Sequence, residues 1–233
     1  MRLATRGRTG LETPRLVVPA YFHPALRPQE WSWLVEHPDQ VRLVVLNLAS
    51  GPGGRPDELF LAVSRRLRAA GVCVAGYVDT DYGRRQWQTA AAEIARYVEW
   101  FEVDGVFFDQ VATGAAQVGH FAELSHHARS TGLQTVVFNH GTHPVEEYAA
   151  HADILGTFEG PWHAYVGLAV PRWTRSLPPD RFYHVVYAVP PDRLGKARVL
   201  ASRRRAGNAY LTDAGGGNPY DRLPAGFVDP QAS

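Results

Sequence analysis

Residues 85–110 read RQWQTAAAEIARYVEWFEVDGVFFDQ, and the period of the apolar residues changes partway through. From Arg85 to Trp100 and on to Phe101, Ala92, Ile94, Ala95, Val98 and Phe101 recur at mixed spacings of three and four. That predicts a helix with one face on a sheet and with Arg84, Arg85, Glu93 and Arg96 in water. The run that follows, Gly105 to Phe108, is short and has no polar face. Such a strand is buried on both sides, as in a parallel sheet covered by crossover helices. A carboxylate directly after it, Asp109, is tolerated if it leaves the strand end and enters a cavity.

Outward from this unit the same alternation repeats. Strand-like runs are Leu16 to Ala20, Val41 to Leu46, Val72 to Val78, Gly105 to Phe108, Gln134 to Phe138, Ile154 to Phe158, Phe182 to Ala188 and Ala209 to Thr212. Helix candidates lie between them at 29–36, 57–70, 85–100, 116–131, 144–149, 161–168 and 191–206. Gly71 and Gly132 suit the left-handed position that ends a helix. Eight such units in 233 residues predict an α/β fold, a single (β/α)8 TIM barrel over residues 15–233, with residues 1–14 as a flexible leader. A doubly wound open sheet is the rival architecture.

Composition narrows the partners. Lys plus Arg (24) nearly balance Asp plus Glu (23), so nothing points to a nucleic acid, whose binding rests on phosphate neutralisation. No stretch approaches the roughly 20 apolar residues of a membrane span, so no membrane partner is expected. The chain is read as cytoplasmic if Met1 is the native start, and as secreted if a signal peptide has been removed. The single Cys73 sits in an apolar run and is expected to be a buried structural thiol.

In a barrel, residues at the C-terminal ends of the strands converge on one cleft. In chain order these are Tyr21 and His23, Asn47, Tyr77 with Asp79, Asp81 and Tyr82, Asp109 and Gln110, Asn139 with His140 and His143, Glu159 and Trp162, Tyr187, and Thr212 with Asp213. Acids, amides and aromatics dominate. Aromatic faces suit the apolar faces of sugar rings, while amides and carboxylates suit hydroxyls. The expected ligand is a carbohydrate or another small polar molecule. Asp109 and Glu159 are the candidate catalytic pair; a helix cap and a loop salt bridge are their alternative roles. Tyr21, His23, Asn47, Tyr77, Asp79, Gln110, Asn139, Trp162, Tyr187 and Asp213 are the candidate substrate-binding residues. Trp31, Trp33, Trp87, Trp100 and Trp173 are assigned to packing. The histidines lack metal-ligand spacing, so no metal and no cofactor are expected. No Gly-X-Ser-X-Gly element or catalytic Cys context is present, which disfavours acyl transfer.

Several segments together resemble a known family. They are Val18-Pro-Ala-Tyr-Phe, Asn47 with Ser50-Gly-Pro-Gly, Gly76-Tyr-Val-Asp-Thr-Asp-Tyr-Gly, Val103-Asp-Gly-Val-Phe-Phe-Asp109, Asn139 with Gly141-Thr142, Phe158-Glu159, and Asn218-Pro-Tyr-Asp. Their order over residues 16–224 resembles the spherulin 4-like proteins (spherulation-specific family 4), which include glycoside hydrolases acting on amino-sugar polymers. The resemblance implies a (β/α)8 barrel with a glycan groove and, in hydrolytic members, paired acids at the positions of Asp109 and Glu159. Those members look as if they carry Asp-Glu where this chain has Asp109-Gln110, and Gln cannot exchange a proton. The reading is therefore an endo-acting hydrolase of an amino-sugar-containing glycan. Its alternatives are a non-catalytic glycan-binding barrel and a barrel repurposed for an intracellular small-molecule reaction.

Overall fold

The structure is a computed structural model that describes residues 13–225; residues 1–12 of the expected leader lie outside it. Eight strands run in parallel order: β1 (Arg15–Ala20), β2 (Val41–Leu46), β3 (Cys73–Asp79), β4 (Gly105–Asp109), β5 (Thr135–Asn139), β6 (Ile154–Pro161), β7 (Phe182–Tyr187) and β8 (Asn208–Leu211). β1 also pairs with β8, through Arg15 with Asn208 and Leu16 with Ala209. That pairing closes the sheet and excludes the open doubly wound alternative, which would leave two edges. The fold is a single (β/α)8 barrel.

The outer layer holds α1 (Pro28–Glu36), α2 (Glu58–Ala69), α3 (Trp87–Phe101), α4 (Val118–Ser130), α5 (Trp162–Val166) and α6 (Leu194–Arg203). Two of the expected helices come out reduced. The stretch at 144–149 forms a 3₁₀ turn, Glu146–Ala150, and the one at 161–168 is the five-residue α5. Pro144 and Gly167 bound segments too short to sustain repeated α-helical turns.

Helix α3 is present, but its buried face is Ala90, Glu93, Ile94, Tyr97 and Phe101, whereas Ala92 and Ala95 are exposed. Glu93 is thus buried, contrary to the amphipathic reading. Arg85 accounts for this: its Nη1 donates to Glu93 Oε2 at 2.9 Å and to the Asp79 carbonyl at 2.7 Å. A paired charge can occupy a position that periodicity assigns to an apolar residue. Tyr97 closes the same interface, its hydroxyl donating to the Leu46 carbonyl at 2.9 Å. Its ring lies so close to β3 that a Cβ on Gly76 would meet it at 2.3 Å. Cys73 is half-buried, and its thiol faces the Thr135 hydroxyl at 3.5 Å.

Inside the barrel, Phe107 packs against Tyr77 and Tyr183, with ring centroids 6.4 and 6.2 Å apart. This aromatic plug forms the floor below the C-terminal mouth.

Candidate active site

Two acids and an amide occupy that floor. Asp109 ends β4 and Asn139 ends β5, in neighbouring strands. Glu159 lies within β6, paired with Val185 of β7, because the strand runs three residues beyond Phe158, where the sequence reading ended it. Side chains alternate along a strand, so in regular register Gly156, beside Asn139, and Glu159 would face opposite ways. A register shift between Gly156 and Phe158 adds the odd residue that turns Glu159 towards Asn139.

Asn139 Nδ2 donates to Asp109 Oδ1 at 2.8 Å and to Glu159 Oε2 at 2.7 Å. One nitrogen therefore ties both acids, and their oxygens lie no farther apart than those two lengths laid end to end, 5.5 Å. Both partners are carboxyl groups, which assigns the amide's NH2 to this side. Asn139 Oδ1 is buried without a hydrogen-bond partner and lies over Gly156, where a Cβ would meet it at 2.2 Å.

The remaining lone pairs meet tyrosines. Tyr77 donates to Asp109 Oδ2 at 2.8 Å, and Tyr220 donates to Glu159 Oε1 at 2.5 Å. The Tyr21 ring lies edge-on to both, 5.8 Å from Tyr77 and 5.3 Å from Tyr220, and its hydroxyl meets the side chains of Asn47 and Tyr77. Burial raises the pKa of all three phenols, so they remain hydrogen-bond donors at neutral pH.

Burial also raises both carboxyl pKa values, but the opposing influences differ. Asp109 is pulled back by hydrogen bonds from Tyr77, Asn139 and the Gln110 backbone N–H, and raised by the nearby charge of Asp79. Glu159 is raised further by the charge of Asp109 and pulled back by Tyr220 and Asn139. The donors facing Asp109 outnumber those facing Glu159 and favour its ionised form.

Other predicted residues take distinct places. Asp79 Oδ1 accepts the Asp81 N–H at 2.8 Å, a turn contact. Gln110 is half-buried in a left-handed conformation (φ 52°), and its carbonyl accepts from Tyr82 N–H at 2.7 Å and the Thr80 hydroxyl at 2.9 Å. Asn47 Oδ1 accepts the Gly51 N–H. His23 has both ring nitrogens engaged, Nδ1 accepting from Ala25 N–H at 3.1 Å and Nε2 facing Asp57 Oδ2 at 3.3 Å. Trp162, at the start of α5, packs with Phe158 and Tyr165. Tyr187 ends β7 near Tyr220, and Asp213 follows β8 with one carboxyl oxygen buried and unpartnered. Burial lowers the pKa of His140 and His143 to about 4, so both are neutral at pH 7. Among the described residues, no group of three His, Cys, Asp or Glu side chains is placed to hold a metal ion.

Tyr220 is the member of this constellation that strand-end reasoning missed, since it arrives nine residues after β8. Its signal was the Asn218-Pro219-Tyr220-Asp221 segment.

Comparison with known proteins agrees with this architecture. The model of spherulation-specific family 4 matches residues 15–230. Spherulin-4 of Physarum polycephalum is 29% identical over 156 residues, covering 65% of this chain and 46% of that protein. The chain thus matches just under half the length of that curated relative. The crystal structure of Aspergillus clavatus Sph3 in complex with GalNAc superposes with a TM-score of 0.78 at 26% identity, covering 92% of this chain and 94% of that one. The spore cortex-lytic enzyme SleL of Bacillus cereus, at 8% identity and a TM-score of 0.50 over 82% of this chain and 58% of its own, shares the fold alone. In architecture the chain is a (β/α)8 barrel like that of Sph3, and it belongs to spherulation-specific family 4.

Proposed function

We propose that the chain is a retaining, endo-acting glycoside hydrolase of an amino-sugar-containing oligo- or polysaccharide. The observation that carries this reading is the Asn139 amide bonded to both Asp109 and Glu159. Carboxyl groups about 5 to 5.5 Å apart suit a double displacement, whereas inversion needs about 6.5 to 9.5 Å to seat a water. The upper bound of 5.5 Å supports the first.

In this mechanism Asp109, the acid with more donors, is the nucleophile, and Glu159 carries the proton. Glu159 protonates the glycosidic oxygen as Asp109 Oδ1 or Oδ2 attacks the anomeric carbon. The leaving chain departs with that proton and an ester links sugar to Asp109. Glu159, now ionised, takes a proton from water, which attacks the same carbon and frees Asp109. Asn139 keeps the two carboxyl groups in register through both steps, and Tyr77 holds Asp109 against rotation. The amino-sugar assignment is supported by the GalNAc bound to Aspergillus clavatus Sph3.

Gln110 favours a second reading, a glycan-binding barrel without hydrolysis. Mass spectrometry of soluble α- and β-linked hexosamine oligomers, incubated with wild type, Asp109→Asn and Glu159→Gln, separates the two. Hydrolysis predicts shortened products with wild type and none with either variant. Intact oligomers that bind saturably favour the glycan-binding barrel.

A further inference from the structure

A cavity of about 500 Å³ opens beside the acid pair, behind Tyr21. Its walls come from the β1 and β2 ends and from the loop after β8. Tyr21 and Asn47 belong to both spaces, and Asp221 lines the cavity directly next to Tyr220, whose hydroxyl holds Glu159.

The lining has two kinds of surface. Leu26 is 77% exposed at the cavity, with Phe22, Leu48 and Phe60 as further apolar walls. At the polar positions, Asp221 has no hydrogen-bond or ion-pair partner among the described residues, and Arg27 meets Glu30 only at 3.9 Å. A carboxylate and a guanidinium across an apolar platform can accept from and donate to the hydroxyls of one ligand. His23 supports this platform and offers it no spare nitrogen. Asp57 and the Ala25 N–H fix the ring, whose edge packs on Phe60 with centroids 5.2 Å apart.

We infer that this cavity is an additional glycan subsite, taking an uncharged pyranose unit of the same chain beyond the units at the acid pair, with its apolar face on Leu26 and its hydroxyls on Asp221 and Arg27. The inference rests on the proposed glycan hydrolase and adds where the chain runs: from Glu159 past Tyr21 towards the β1–α1 loop. A substrate long enough to reach the cavity gains binding energy that a short one lacks.

The test compares N-acetylgalactosamine trisaccharide with hexasaccharide as substrates of wild type, Leu26→Ser and Asp221→Asn. The ratio of kcat/KM for the long oligomer to that for the short one falls about tenfold in each variant, the scale of one lost pocket contact. An unchanged ratio in both variants overturns the subsite. Should wild type cleave neither oligomer, the hydrolase reading fails, and calorimetric affinities of the same proteins decide the subsite separately. A hexasaccharide preference that is lost in the variants supports it; equal affinities, or no binding by wild type, overturn it.

Discussion

A Cβ on Gly156 would lie 2.2 Å from Oδ1 of Asn139, so the amide that spans the two acids has its place only because residue 156 has no side chain. Gly156→Ala must push the Asn139 amide away from Asp109 and Glu159. Overpacking of this kind costs about 1 to 3 kcal/mol of stability. The variant should melt lower, and its loss of kcat should approach that of Asn139→Ala. Paired melting and rate measurements check this; a Gly156→Ala protein with wild-type kcat would show that the amide bridge is dispensable.

Tyr220 donates to Glu159, and that bond lowers the carboxyl pKa against the burial that raises it. Tyr220→Phe therefore raises it further. If Glu159 is the acid that must be protonated, activity is lost as pH rises through its pKa. The alkaline limb of the rate profile then moves to higher pH, while the acid limb, governed by Asp109, moves little. The expected fall in kcat at the optimum is about tenfold. A shift of the alkaline limb to lower pH contradicts the assignment of Glu159 as the acid.

Stability and activity should part at Glu159. Its folded pKa is raised by burial and by Asp109, so the folded chain binds this proton more tightly than the unfolded chain does. That contribution is fully present below the unfolded carboxyl pKa and is lost as pH rises through the folded value. Glu159→Gln removes the titration. Its Tm advantage over wild type should grow from pH 4 to pH 8, as kcat falls by about 10² to 10⁴. Calorimetric melts at several pH values test this; a Tm difference that is flat or shrinks with pH contradicts it.

The Arg85–Glu93 pair lies beneath the β2–α2 loop, where a Cβ on Gly51 would approach Glu93 Oε1 at 3.3 Å. Arg85 also holds the carbonyl of Asp79 at the end of β3. Side-chain exposures of 23% and 12% leave little water to screen either charge once its partner is gone. Arg85→Met should cost about 3 kcal/mol, the low end for a broken buried pair, and the double variant Arg85→Met with Glu93→Met should recover much of it. Urea unfolding of the single and double variants measures the difference. Equal destabilisation in both would mean that the backbone contact, and not the orphaned charge, is what matters.

The barrel was legible because parallel strands buried on both faces leave continuous apolar runs, and all eight runs fall on strands to within about a residue except at the C-terminal end of β6. Asp109 and Asn139 could be placed for the same reason, as polar residues where such runs stop. Glu159 was found at a strand end only because β6 was cut short; the register shift that turns its side chain inward is a pairing property and leaves no periodic trace. Tyr220 was invisible to strand-end logic because it lies nine residues past the end of β8, on a loop that brings it back to Glu159. Glu93 was misread because a hydrophobic period cannot register that Arg85, eight residues earlier, neutralises it. The engagement of His23 by Asp57 likewise links two loops 34 residues apart.

The stereochemistry of the first product tests the central claim most directly, because the proposed double displacement by Asp109 and Glu159 requires retention. Proton NMR recorded as a hexosamine oligomer is cleaved shows the new reducing end before mutarotation. The account predicts the same anomeric configuration as the bond that was broken. Appearance of the opposite anomer first would mean that a water, and not Asp109, attacks the sugar, and would contradict the paired-carboxylate mechanism.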